Sequence, residues 1–211
     1  MQTIPELFRA AAEAGVSIQT DEHSVTAVDL ERQSRALAAS LRALGVEPGD
    51  RVAAWLPNLP QYLSLYAAVT RLGAILVAVN NRFGAAEVAD IVGRSESKVL
   101  VVASEVRGID YVATLRAIDA AAVPALRHLI LIADGAETIW PHVGAVTFAS
   151  LTDAAPLDDD CAGPDTLSNI FTTSGTTAAP KFAAHAHAGV VGHALDVVDV
   201  LEMRAPGTVS L

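Results

Sequence analysis

Two patterns alternate along the chain. Nearly unbroken apolar stretches stand at Arg51-Val-Ala-Ala-Trp-Leu56, Ile75-Leu-Val-Ala-Val79, Val99-Leu-Val-Val-Ala103 and Leu129-Ile-Leu-Ile-Ala133. A strand reads this way when both of its faces are covered, as in a parallel sheet. The segments between them repeat their apolar residues at helical spacing. Thr26 precedes a long helix with Leu30, Leu37, Leu41 and Leu44 on one face, and Gly45 is its stop. Thr26-x-x-Asp29 reads as a capping box for that helix. Leu56-Pro57-Asn58 ends one strand and opens a helix whose buried side is Tyr62, Leu65, Tyr66, Val69 and Leu72, broken at Gly73. Further helices are expected over Ala85 to Gly93 and from about Ile109 to Ala122. Strand and helix in alternation predict an α/β fold, a parallel sheet of βαβ units flanked by helices.

The ends of the chain depart from this rhythm. Met1 to Gly15 reads as a short amphipathic helix with Ile4, Leu7, Phe8 and Ala11 on one side, and Ser24-Val-Thr26 as a short strand or turn. Glu47-Pro-Gly-Asp50 is a tight turn, with proline and glycine placed for it. Asp153 to Asp165 is acidic and holds Pro156, Gly163 and Pro164, the composition of an exposed linker, with Asp158-Asp-Asp160 a solvated loop. The expected organisation is therefore an N-terminal α/β subdomain over 1–157, an acidic linker over 158–168, and over 169–211 a strand, a loop and a helix that begin a second subdomain. That last helix runs from about Ala186 to Glu202 and is stopped by Ala205-Pro-Gly207, after which Val209-Ser-Leu211 opens a further strand.

The loop in this last part changes the picture most. Phe171-Thr-Thr-Ser-Gly-Thr-Thr-Ala-Ala-Pro-Lys181 gathers hydroxyls around one glycine and ends on a lysine. A polyphosphate calls for this set: free backbone N–H donors, rotatable hydroxyls and one point charge. A helix starting near Lys181 would aim its positive dipole end at the same anion. The common phosphate loop G-x-x-x-x-G-K-[ST] does not fit, because Gly175 has no second glycine before Lys181 and Phe182 stands where a Mg²⁺-binding hydroxyl belongs. A Ser/Thr-rich surface turn would explain Gly175 and Pro180 but not the flanking hydroxyls and the lysine. Ser174 has no evident histidine and carboxylate partners, so no catalytic triad is expected.

Composition narrows the partners. Hydrophobic residues make up 52% of the chain and the mean hydropathy is +0.39, which suits a globular protein with a substantial core. A formal net charge of −10 argues against nucleic acid, since no basic stripe offsets phosphate repulsion. A nucleotide needs only local positive potential, which Lys181 supplies. No apolar run approaches a membrane span, the N-terminus has no secretory signal, and the single cysteine, Cys161, fits a reducing cytoplasm.

Thr173-Ser-Gly-Thr-Thr-Ala-Ala-Pro-Lys181 resembles the signature T-S-G-T-T-G-x-P-K-G of the AMP-forming adenylating enzymes, which include acyl-CoA synthetases and peptide-synthetase adenylation domains. Two positions differ: Ala178 and Phe182 each replace a glycine. Pro48-Gly-Asp-Arg-Val52, Leu56-Pro-Asn58, Leu72-Gly-Ala74 and Asn80-Asn-Arg82 resemble the N-terminal region of the same family, in the same order, so the likeness extends from about Thr26 onward.

The resemblance implies an incomplete part of the large N-terminal domain of an adenylating enzyme. It implies ATP, Mg²⁺ and coenzyme A as cofactors, and a small-molecule carboxylic acid, fatty or otherwise hydrophobic, as substrate. The acid is joined to AMP with release of pyrophosphate and then passed to the thiol. Thr173, Ser174, Gly175, Thr176, Thr177 and Lys181 would hold the ATP phosphates. His187 stands where family members often carry a histidine and would lie near the adenylate or acyl pocket, or else serve the structure of its helix. His185 and His187 are two apart and form no metal pair, and no metal site is expected. The family's adenine, ribose and Mg²⁺ segments lie further downstream, so the isolated chain is expected to be inactive in adenylate formation. An adenylation module that loads a carrier protein, and a non-catalytic binding module retaining the fold, are the alternatives.

Overall fold

The computed structural model describes residues 2–19, 24–106, 108–173 and 180–203. The chain opens with α1 (Ile4–Glu13), whose N-cap Thr3 and Glu6 form a reciprocal capping box. A small antiparallel hairpin follows, β1 (Ser17–Gln19) with β2 (Ser24–Thr26). Thr26 then caps α2 (Ala27–Ala43), accepting a hydrogen bond from the Asp29 amide at 3.0 Å and donating to its carboxylate at 2.7 Å. Gly45, with φ +84°, turns the chain out of α2 through the left-handed region that glycine adopts without a Cβ clash.

The centre of the molecule is laid down next. Strand β3 (Arg51–Trp55) leads through Leu56-Pro57-Asn58 into α3 (Pro60–Arg71), then β4 (Ile75–Ala78), α4 (Ala85–Arg94) and β5 (Val99–Ala103). The Glu47–Asp50 turn ties the starts of three strands together. Asp50 accepts from Lys98 at 2.7 Å, its carbonyl accepts from the Ile75 amide, and the Gly49 amide donates to the Gly73 carbonyl. Side chains alternate across the strands, so Val52 and Ala54 join a core with α2 and α3, while Ala53 and Trp55 join a second core under α4. Both sheet faces are covered, which explains the continuous apolar runs.

The helix expected from Ile109 to Ala122 is broken in the structure. A two-residue hairpin, β6 (Glu105–Val106) with β7 (Ile109–Asp110), precedes α5 (Tyr111–Arg116). Asp110 caps α5 through the Ala113 amide, and Asp119 separately accepts from the Ala121 amide to start a 3₁₀ turn, Ala120–Ala122. Two capping aspartates make two short helices from one helical pattern. After β8 (His128–Ile132) comes a strand that the apolar pattern did not indicate, β9 (Gly144–Thr147).

The chain then crosses back to the other edge as β10 (Leu167–Thr173), β11 (Lys181–Ala186) and α6 (His187–Val200). One seven-stranded sheet results, in the order β11-β10-β4-β3-β5-β8-β9. Every neighbouring pair is parallel except β10 with β11. Among the described residues no helix is long and apolar enough to cross a membrane. The expected stop at Ala205-Pro-Gly207 and the strand at Val209–Leu211 lie outside the described residues.

The acidic stretch is only partly the solvated loop that its composition suggests. Asp158 and Asp159 are exposed, but Asp160 pairs with Arg9 of α1 and with Arg71 of α3. Arg71 is fully buried and also meets Glu31 of α2 at 2.8 Å. Main-chain bonds from Leu157 to Arg35 and from Cys161 to Arg71 hold the segment on either side. A buried guanidinium needs carboxylates around it, and the acidic segment supplies one of the two.

Candidate phosphate-binding site

Strand β10 lies beside β4, with Asn169 opposite Leu76 and Ile170 opposite Val77. Its carboxyl end therefore points the same way as those of the other parallel strands, the side on which open α/β sheets bind their ligands. Tyr66 of α3 secures its start, donating its hydroxyl to Asn169 Oδ1 at 2.9 Å, and burial pushes the Tyr66 phenol well above its ordinary pKa.

The hairpin register sets the geometry of the loop. Thr173 is paired with Lys181 and Thr172 with Phe182. The Ser/Thr/Gly segment is thus closed at its base by the threonine that begins the signature and the lysine that ends it. Both are exposed. Strand alternation places Thr173 and Lys181 on the face that carries Phe171 and His185, whose rings meet edge to face at 5.5 Å. Phe182 turns the other way and packs with Ile170 against the core under α4. The ring that replaces the family's glycine is therefore directed away from the face of the lysine. Ser174, Gly175, Thr176, Thr177 and Ala178 lie outside the described residues.

The helix starts where the pattern from about Ala186 places it, and not near Lys181, where its dipole would have faced the anion. Lys181 opens β11, and α6 starts only at His187. At about 3.4 Å per residue the strand carries the helix start roughly 20 Å from the lysine. The first helical amides are already engaged, His187 with the Thr166 carbonyl and Ala188 with the Pro164 carbonyl. The start of α6 therefore adds no positive potential at Lys181. The hydrogen bonding of β11 to β10 outweighs the helix preference of its alanines.

His187 is fully buried at the start of α6. Its Nδ1 accepts the Ile4 amide of α1 at 3.1 Å, which requires the imidazole to be neutral at that nitrogen, and burial lowers its pKa. Its Nε2 is buried without a hydrogen-bond partner among the described residues. His185 sits on β11, exposed, and His193 is exposed on α6.

Sequence reasoning did not find Arg94. This residue, at the end of α4, donates to Asp90 through Nε at 2.8 Å and Nη2 at 2.6 Å. The same Nη2 donates to the Pro180 carbonyl at 2.7 Å, and the guanidinium lies 4.4 Å from the centre of the Phe182 ring. The unusual Phe182 was the one available hint of a cation beside it. A cleft of about 230 Å³ between α2, α3 and the β8–β9 edge, with Gln33, Gln61 and Ile132 in its wall, is lined by neither Thr173 nor Lys181. Among the described residues no three His, Cys, Asp or Glu side chains stand together as metal ligands.

Comparison with known proteins identifies the family. The 3-[(3aS,4S,7aS)-7a-methyl-1,5-dioxo-octahydro-1H-inden-4-yl]propanoyl:CoA ligase of Mycobacterium tuberculosis is 36% identical over 79% of this chain and 32% of its own length. The long-chain-fatty-acid–CoA ligase FadD13 of the same organism is 32% identical over 78% of this chain and 30% of its own. The solved N-terminal domain of FACL13 from Mycobacterium tuberculosis superposes with a TM-score of 0.70 at 27% identity, covering 89% of this chain and 45% of that one. The chain thus spans about a third of the length of the curated relatives it matches. The sequence profile described as AMP-binding enzyme matches residues 8–209, and the chain belongs to that family.

Proposed function

We propose that this chain is the N-terminal portion of an ATP-dependent acyl-CoA ligase and provides its phosphate-binding hairpin. The observation that carries this reading is the pairing of Thr173 with Lys181 across the base of the hydroxyl-rich loop. In the reaction a carboxylate attacks the α-phosphorus of ATP, the bond to the β-phosphate oxygen breaks, and pyrophosphate leaves. Charge builds on the leaving group, where preorganised donors act most strongly. The Lys181 ammonium and the hydroxyls of Thr173, Ser174, Thr176 and Thr177 hold that charge, and Gly175 lets the backbone approach it. Mg²⁺ arrives with the nucleotide phosphates. The acyl group then passes from the adenylate to the thiol of coenzyme A. The two relatives described above are CoA ligases, which favours this acceptor over a carrier protein, and their acids favour a fatty or other hydrophobic carboxylate.

Calorimetric titration with ATP tests the proposal. The chain is expected to bind, and Lys181→Ala to bind about 10- to 100-fold more weakly, the range of a charge-assisted hydrogen bond. Equal affinity in both proteins, or no binding by either, would reject it. Because most of a relative's length lies outside the matched part, the 211 residues alone are expected not to support carboxylate-dependent ATP–pyrophosphate exchange.

A further inference from the structure

We infer that Arg94, braced by Asp90, is a positioning residue that clamps Phe182 and Pro180 so that Lys181 faces the phosphates. The inference rests on the reading of the loop as a nucleotide-phosphate site.

Three observations converge on it. The guanidinium makes all its described contacts at the end of the loop or to its own brace: Asp90 on one side, the Pro180 carbonyl on another, and the Phe182 ring under its plane. Pro180 and Phe182 flank the lysine, so one cation holds both of its neighbours in the chain. Finally, β11 alternates its faces, and a ring held against the α4 side directs Lys181 to the side of Thr173.

Chemistry explains why these residue types were needed. Proline has no N–H, so Pro180 can be held only through its carbonyl, which calls for a donor. A guanidinium can serve a carboxylate, a carbonyl and an aromatic face together, whereas a lysine ammonium lacks the planar fork. The Asp90 carboxylate fixes the plane of the fork from one helical turn away. Family members with glycine after the lysine have no side chain there to hold. Here the ring at position 182 converts that position into a fastening point for α4.

The test uses the 211-residue chain and the variants Arg94→Ala, Arg94→Lys, Phe182→Gly and the Arg94→Ala/Phe182→Gly pair. Amide hydrogen exchange and calorimetric ATP binding are the readouts. Arg94→Ala is expected to speed exchange across residues 181–186 on the order of tenfold and leave β3 and β5 unchanged, since only a local contact is lost. ATP affinity is expected to fall about fivefold, and Arg94→Lys to lie between Arg94→Ala and the parent because it keeps the charge without the fork. In the Phe182→Gly background, removal of Arg94 should cost less than in the parent, the mark of coupled partners. Unchanged hairpin exchange in Arg94→Ala overturns the clamp, as does acceleration spread equally over the whole sheet. A parent that binds ATP and an Arg94→Ala variant that binds it equally well overturn the positioning role. If the parent does not bind ATP at all, the nucleotide reading falls and takes the positioning role with it, while hairpin exchange still decides the clamp.

Discussion

The middle of the sheet and its loop-bearing edge are built on different terms. Strands β3, β4 and β5 are buried almost throughout and sandwiched between two apolar cores. At the edge, β10 buries only Ser168 and Asn169, β11 is half-buried or exposed throughout, and α6 buries only His187 and Val191. Few apolar contacts hold the edge in place. Discrete polar ones do so instead: Tyr66 to Asn169, Arg94 to Pro180, and His187 to Ile4. Close packing stabilises without caring much which side chain faces a ligand, whereas a directed hydrogen bond fixes an orientation at little gain in stability. The difference suits the proposed phosphate site, which has rigid support on one side and a directed lysine at its base.

The comparison is broken most readily at the centre. Leu100 on β5 is 1% exposed and packs in the core under α4. Leu100→Ala removes its transfer energy and leaves a cavity, so a loss of about 2–5 kcal/mol is expected in urea unfolding. A loss below about 1 kcal/mol would mean that the sheet centre is loosely packed and that the contrast with the edge is false.

A test of intermediate size bears on the polar link between the regions. Burial lowers the pKa of His187, and its Nδ1 accepts the Ile4 amide only as neutral imidazole. Below the ordinary histidine pKa of about 6.5, the unfolded chain takes up a proton that the folded chain refuses. Stability from this residue is therefore complete above that pH and declines as pH falls toward the lowered folded value. The slope is at most about 1.4 kcal/mol per pH unit for one proton. His187→Leu should lose the amide contact, about 1 kcal/mol at neutral pH, and should flatten the profile below about pH 6.5. Parallel profiles for the two proteins would remove His187 from the link.

The same contrast governs what could be read from the sequence. The central strands and α2, α3 and α4 were legible because each carries its own pattern: an unbroken apolar run, a capping threonine, a glycine stop. Strand β11 was not. Lys181-Phe-Ala-Ala-His-Ala186 has neither clear alternation nor β-branched residues, and its alanines favour helix, yet hydrogen bonds to β10 hold it extended. Gly93 reads as a helix end, and α4 does end one residue later, but a Cβ there would also overlap the Ala122 carbonyl oxygen. Its role is close approach between α4 and the 3₁₀ turn, which no local pattern announces. Asp160 reads as one of three solvated aspartates because its partners, Arg9 and Arg71, are distant in sequence. For the candidate site, the sequence carries the loop composition and the lysine that the proposal rests on. Arg94 was hidden for the same reason as Asp160, since its link to Pro180 spans 86 residues.

The smallest expected effect lies on the outer face of α6. Val200 is 80% exposed, near the helix C-terminus, and lies one turn beyond Asp196. Val200→Lys gives up almost no burial. It replaces a β-branched residue by a better helix former, puts a cation at the negative end of the helix dipole, and sets a lysine four residues after an aspartate. The added charge also reduces the net charge of −10. Each term favours the variant, and together they predict a gain of up to about 0.5–1 kcal/mol in urea unfolding, with the slope against urea unchanged. A loss of more than about 1 kcal/mol, above all one that depends on protein concentration, would show that this face is covered in solution. The edge would then be a buried surface like the centre, and the division between the two regions would disappear.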